Sequence, residues 1–481
     1  MKDIKNLKIA YIGGGSRGWA WTLMRDLLLE RELGGEVRLY DIDYEAAKIN
    51  EDLGNKVDKI ARYTDDSTWD PDTGYMDEIE DHERLTMNWR FKAYENIEDA
   101  LDSVDFVFIS ILPGTFDEME SDVHLPEKYG IYQPVGDSTG PGGIIRALRT
   151  IPIYEGFAKA IKKMCPEAWV INYTNPMTVC TKTLYKVFPE IKAFGCCHEV
   201  FGTQNLLCKV LKEEVGIENV KRENIVTNVV GVNHFTWITK ANYGEIDLFE
   251  PYAEFAETCL NGYKDGGDKN WANAAFRTKE MVKLDLFKRY GAIAAAGDRH
   301  LAEFNPGYHY LNSPEQVREG WKFDLTTVAS RKEELKKRLE QSDEIYRGEK
   351  RFDVWPTGEE GVQQMKALLG MGDMVTNVNI PNYGQIPNLP IGAVVETNAA
   401  FRHNSLEPVF AGDAPIGVRS LLLRIIDEQE MLVEAGLERD LDKAFKVFVS
   451  DPLVTIPMDD AKKLFDEMIE NTKKYLTMYD I

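Results

Sequence analysis

Three short stretches of this sequence gather residues able to do chemistry. AFGCCHEVFG carries Cys196, Cys197 and His198; VVGVNHFTW carries Asn233 and His234; YGAIAAAGDRHLAEF carries Asp298, Arg299, His300 and Glu303. Each closes an apolar segment, the place where open α/β sheets present their crevices. A single cysteine is usually a small buried hydrophobe. The conjunction reads differently, because Cys-Cys-His followed by Asn-His supplies a thiolate and an imidazole able to share one metal, with positions left open for water and substrate. A thiolate is a soft ligand, which by chemistry alone suits zinc.

A second signal lies in KIAYIGGGSRGWAWTLMRDLL. Gly13, Gly15 and Gly18 fit G-x-G-x-x-G, with Ser16 in the same turn, directly after a strand and opening a helix. Gly13 permits the tight turn, Gly15 lets backbone approach a pyrophosphate, and Gly18 lets helix and strand pack closely. The first amides of that helix then face the anion. The next strand ends EVRLYDID and places Asp41 23 residues after Gly18, where its carboxylate accepts from a ribose diol and favours NAD over NADP. Taken alone, such a motif also occurs as a plain glycine turn. Farther on, Thr174-Asn175-Pro176 resembles the Asn-Pro turn beside the nicotinamide of lactate and malate dehydrogenases.

The elements that must position these residues follow from periodicity. Apolar strands at 8–12, 37–40, 106–111, 169–173 and 193–195 alternate with helical stretches, the pattern of a parallel sheet covered on both faces. A helix is expected over 142–164, interrupted at Pro152. The acidic stretch 63–83 reads as an insertion. After about residue 200 the alternation fades into a strand at 225–232, a charged and solvated helix at 331–347, and loops over 371–390 that form a pocket rim or a subunit contact. The expected class is α/β: a Rossmann-type dinucleotide-binding domain over 1–196, then a mixed α+β substrate, metal-binding and oligomerisation domain over 197–481.

At 481 residues the chain exceeds one comfortable core. Its 43% hydrophobic and 28% charged residues exclude a disordered or fibrous class. A net charge of −23 argues against nucleic-acid or anionic-membrane binding, which need a basic surface. No apolar run approaches the roughly 20 residues of a membrane span. The opening runs directly into a strand, so no signal peptide is expected. Six irregularly spaced cysteines fit a reducing cytosol.

Across GGGSRGW, ISILPG, VGDSTGPGGIIRALR, NYTNP, GCCHEVFG, GVNHFTW, AAGDRHLAEF and VVETNA, essentially the whole chain resembles glycoside hydrolase family 4, most closely its α-galacturonidase branch. That resemblance implies a lactate/malate-dehydrogenase-like fold, NAD+ that cycles without net consumption, and a divalent metal, usually Mn²⁺. It implies Cys197 and His234 as metal ligands, His198 as general acid, Asp298 as base, and Asn175 beside nicotinamide and sugar. Tyr290 is the alternative base, since some members use a tyrosine. The implied reaction oxidises the sugar at C3, removes the C2 proton, eliminates the leaving group, adds water and reduces the ketone again. The implied substrate is a short α-galacturonide. Its carboxylate needs cationic partners, for which Arg17, Arg146, Arg299 and His300 are the candidates. Asp137 in VGDSTGPGG orients substrate or caps the following helix. A homodimer or homotetramer is expected. An α-glucuronidase, α-galactosidase or α-glucosidase of the same family, a plain NAD-dependent dehydrogenase and a non-catalytic NAD sensor are the competing functions.

Overall fold

The computed structural model describes residues 3–65, 76–79, 85–259, 261–263 and 278–481. Nine strands make one sheet in the order Ser405–Pro408, Val394–Arg402, Met374–Pro381, Lys192–Gly195, Trp169–Asn172, Phe106–Ile109, Leu7–Ile12, Gly35–Tyr40 and Trp89–Tyr94. The six strands before residue 196 are mutually parallel. Their spatial order, numbered along the chain, is the 3-2-1-4-5-6 of doubly wound dinucleotide folds. They form because LKIAYI, FVFI and WVIN are almost wholly buried on both faces. Trp21, Met24, Leu27 and Leu28 of helix Trp19–Leu29 cover one face. Tyr154, Ala158 and Ile161 with Cys180 and Leu184 cover the other.

The stretch 371–390 corrects its expectation of a loop. It holds strand Met374–Pro381, paired antiparallel along its length with Val394–Arg402 and joined to the parallel sheet through Asn379 opposite Gly195. Its Thr376, Asn377 and Asn379 are buried, and their polarity disguised the strand. Asn377 spends its amide on Glu396, and Asn379 spends its amide on the Met177 sulfur. The sheet therefore continues past residue 196 into the second half of the chain. Most of the acidic stretch 63–83 lies outside the described residues. Its flanks form Ala61–Asp65 and Asp77–Glu78, which join Phe352–Val354 in a small sheet.

A second correction concerns Pro152. Helix Gly140–Met164 runs through it without a break. Proline offers no N–H to the carbonyl four residues back, and the Tyr479 hydroxyl donates to Leu148 O at 2.8 Å in its place. Tyr479→Phe should leave that buried carbonyl unpaired and destabilise the protein by about 1–3 kcal/mol. The denaturant midpoint reads this directly, and an unchanged midpoint would show the carbonyl satisfied by other means.

Beyond residue 200, Val226–Val232 and Phe235–Tyr243 form a hairpin in which Val232 faces Phe235, leaving Asn233-His234 as a two-residue turn. Helices Ile416–Glu438, Leu441–Ser450 and Met458–Thr472 pack with Gly140–Met164 in the largest core. The charged helix spans Val328–Tyr346 and buries Val328, Ser342 and Ile345 at its two ends. Among the described residues, no helix is long and apolar enough to cross a membrane.

Candidate active site

The glycine turn sits where the strand order reverses, between Leu7–Ile12 and Phe106–Ile109. Gly13 has φ +99°, and a methyl group on it would lie 1.9 Å from Ser110 O. Gly15 leaves space that Ala46 Cβ and the Asp41 carboxylate would otherwise contest. Its amide donates to Asp41 Oδ2 at 2.8 Å, so Asp41 also shapes the turn that it was expected to serve. Ser16 Oγ accepts from the Gly18 and Trp19 amides and starts the helix. Close packing against a strand falls to Gly14, whose added carbon would lie 2.8 Å from Leu39 Cα. Gly18 instead faces the Arg338 guanidinium, reaching in from helix Val328–Tyr346. Arg17 donates to Gly15 O.

The fold also assembles a group that spacing alone did not predict. Single donor atoms of Asp137, His234 and His300 all lie within 4.8 Å of one another. The rings of His234 and His300 stack at 3.7 Å. Asp137 does not cap the helix, a position Thr139 holds. It accepts from Ser138 Oγ at 2.7 Å and from Asn175 Nδ2 at 3.1 Å. Arg146 Nε in turn donates to Asn175 O. The loop before Asp137 is pinned by Glu303, which accepts from the Val135 and Gly136 amides. His234 occupies the hairpin turn at φ 65°, a left-handed conformation costing a non-glycine residue on the order of 1–3 kcal/mol. Glu396 holds that turn from behind, accepting from Thr236 Oγ1 at 2.7 Å and Asn233 Nδ2 at 3.4 Å.

These donors are poised for a cation. Ser138 Oγ lies 2.8 Å from His234 Nδ1 while its one proton goes to Asp137. The hydroxyl therefore accepts from Nδ1–H, and Nε2 keeps its lone pair. Burial, with His300 alongside, pushes the His234 imidazole down to about 3, so the ring is neutral near pH 7. Burial favours the protonated Asp137, but His234, His300, Arg146 and the Ser138 hydroxyl outweigh it and hold the acid below the usual carboxylate range. His300 Nδ1 and Asn175 Oδ1 are buried with no hydrogen-bond partner. Two neutral imidazoles and one carboxylate suit a borderline divalent ion, so the residues fit the expected metal.

Cys197, the other expected ligand, stands outside this group of three. Burial pushes its thiol well up, with Glu396 and Glu199 adding to the effect, so a metal there must expel a proton. His198 Nδ1 lies 3.1 Å from Glu359 Oε1, and its ring stacks over Trp19. Asp298 is buried, accepts from the Lys283 amide through Oδ1 and keeps Oδ2 without a hydrogen-bond partner. Burial, reinforced by Glu280, raises its carboxyl to about 7. Tyr290 packs edge-on against Trp237 in the core. Arg299 donates to Pro134 O at 2.7 Å and to Thr326 Oγ1. Sequence reading passed over Glu199, which sits 3.6 Å from His300 and accepts from the Gly297 amide, and also Glu359 and Glu396. Glu199 and Glu396 each lie inside a quoted motif, yet an acid among helical or strand residues gives no sign of facing inward.

Fold and site together define a dinucleotide-binding α/β protein with a metal-capable donor group. The sequence model of the family 4 glycosyl hydrolases matches residues 8–69 and 74–213, and that of their C-terminal domain matches 229–454. The chain belongs to family 4 of the glycosyl hydrolases. It is 58% identical to an α-galacturonidase of Thermoanaerobacterium saccharolyticum over 99% of this chain and 98% of that one. The crystal structure of Bacillus subtilis lplD is 48% identical, with a TM-score of 0.86, over 96% of this chain and 99% of that one. A 6-phospho-α-glucosidase from gut microorganisms, solved with NAD and Mn²⁺, is 20% identical and shares the fold at a TM-score of 0.73, over 98% and 99% of the two chains.

Proposed function

We propose that this protein hydrolyses α-galacturonides, short pectin-derived oligogalacturonates, with NAD+ and a divalent metal such as Mn²⁺. The observation that carries the substrate is the full-length 58% identity to an α-galacturonidase. The cofactors are supported by the glycine turn, by the Asp137, His234 and His300 donors, and by the NAD and Mn²⁺ of the 6-phospho-α-glucosidase. When bound, they supply a reversible hydride acceptor at the sugar ring and a Lewis acid that acidifies the neighbouring C–H.

The chain's own residues do the rest. The turn from Gly13 to Gly18 cradles the dinucleotide, and Asp41 meets its ribose. Residues 1–196 thus hold the cofactor, while 197–481 contribute His234 and His300. Asp298, with Oδ2 uncommitted, takes the proton from C2; a carboxyl raised to about 7 is a base matched to neutral pH. His198, steadied by Glu359, gives a proton to the departing oxygen. Asn175 orients the sugar from beside Asp137. The free state of all six cysteines accords with work in a reducing cytosol.

The test uses digalacturonate, NAD+ and Mn²⁺ in D₂O under reducing conditions. Released galacturonate carrying deuterium at C2, without NADH accumulating, is the expected result. NADH accumulating without cleavage would make the protein a dehydrogenase, and no turnover would move the substrate to another glycoside of the family.

A further inference from the structure

Helix Val328–Tyr346, which reads from sequence as a solvated face, runs past the glycine turn. Its last turn is anchored beside the strand that leads to Asp41. Ile345 is buried in the core that holds Val37 and Leu39, and the Lys56 ammonium sits 5.3 Å over the Tyr346 ring. Two turns earlier, the Arg338 side chain reaches the glycine turn itself. A methyl group built on Gly18 would lie 2.6 Å from Arg338 Nη1 and 3.8 Å from Ser16 Oγ. The guanidinium therefore sits at the space that a glycine leaves open.

Gly18 is the N-cap of helix Trp19–Leu29, whose first turn carries no acidic residue. The aligned peptide dipoles of that helix place roughly half a positive charge at this end. Arg338 adds a full charge beside it, and Arg17, whose buried Nε has no hydrogen-bond partner, adds another in the same turn. Glu334, one turn back on its own helix, accepts from Arg338 Nη2 and offsets part of this charge. Positive charges gathered at one helix start repel until an anion arrives, and a pyrophosphate answers both the amides and the cation. A planar guanidinium fork matches phosphate oxygens with parallel hydrogen bonds. We infer that Arg338 is a cofactor-binding residue that donates to the pyrophosphate of the dinucleotide. The hold on the cofactor thus extends past residue 196 into a helix that otherwise carries its charges in water. This deepens the NAD reading and rests on it.

The test is a fluorescence titration of the Mn²⁺-loaded full chain with NADH, at about 0.05 and 0.5 M salt. In Arg338→Gln the dissociation constant should rise roughly 10-fold, and its increase with salt should shrink. Arg338→Lys should fall between, keeping the charge and losing the fork. Glu334→Gln removes a carboxylate that competes for the same guanidinium, so it should bind NADH at least as tightly as the parent. An exposed pair one turn apart contributes little to stability, so matching denaturant midpoints should show every variant folded. An unchanged dissociation constant in Arg338→Gln overturns the inference and leaves the NAD reading standing. So does equal weakening in Glu334→Gln, which would make the pair merely structural. A parent that binds no NADH overturns both.

Discussion

Asp137→Asn should reduce turnover by more than about 100-fold while leaving NAD affinity within about 2-fold. Residues that merely orient a metal ligand typically contribute 10- to 100-fold to metal affinity or activity, and Asp137 offers its own oxygen to the donor group. Asparagine keeps the shape and the contact with Asn175, so the fold has little reason to change. It loses the charge that a cation needs and the acceptor that draws the Ser138 proton away from His234 Nδ1. That hydroxyl would then be free to donate to Nδ1 and shift the ring proton to Nε2, removing the lone pair that Nε2 would offer a cation. The measurement is a Mn²⁺ titration of metal-stripped enzyme, followed by turnover and by metal content at equilibrium. Cys197→Ser belongs in the same series. If serine at 197 costs more metal affinity than asparagine at 137, the thiolate is the dominant ligand and the three-donor group is secondary.

The second large effect is on stability. Asp122 and Arg149 form a two-pronged pair, with Nη1 to Oδ1 at 3.1 Å and Nη2 to Oδ2 at 2.5 Å, and each side chain is only 1% exposed. The pair fastens helix Phe116–His124 to Gly140–Met164, and Arg149 also reaches Pro113 O in the loop after Phe106–Ile109. Arg149→Met should destabilise by about 3–5 kcal/mol, because it strands a buried carboxylate, whereas the double change Asp122→Leu, Arg149→Met should recover most of that loss. Burial already pushes the Asp122 carboxyl up despite Arg149 beside it, so the single variant should relieve its charge by taking up a proton. Denaturant unfolding of the parent, the single and the double variant decides this. Equal losses in single and double would show that packing at Arg149, rather than charge, holds the helices.

Much of the fold is legible in the residues themselves. The strands of the parallel sheet are short apolar runs with turn signals at both ends, and such local patterns survive folding unchanged. The glycine turn is legible for the same reason: a backbone that passes 1.9 Å from where a side chain would meet Ser110 tolerates only glycine at residue 13. His198, His234, His300 and Asn175 were readable as chemistry-bearing because polar residues ending apolar runs fall at the edge of a sheet.

What the tertiary structure decided is which of these meet. Asp137 joins His234 and His300 across 97 and 163 residues of chain, and no local rule connects a loop acid, a hairpin turn and a six-residue helix. The buried strand Met374–Pro381 was hidden because its asparagines are paid for by partners far away in sequence, Glu396 and Met177. At Pro152 the Leu148 carbonyl, which loses its helical N–H partner, is taken up by Tyr479 from far along the chain. Propensity and pattern are set by neighbours in the chain, whereas charge, burial and hydrogen-bond satisfaction are set by neighbours in space.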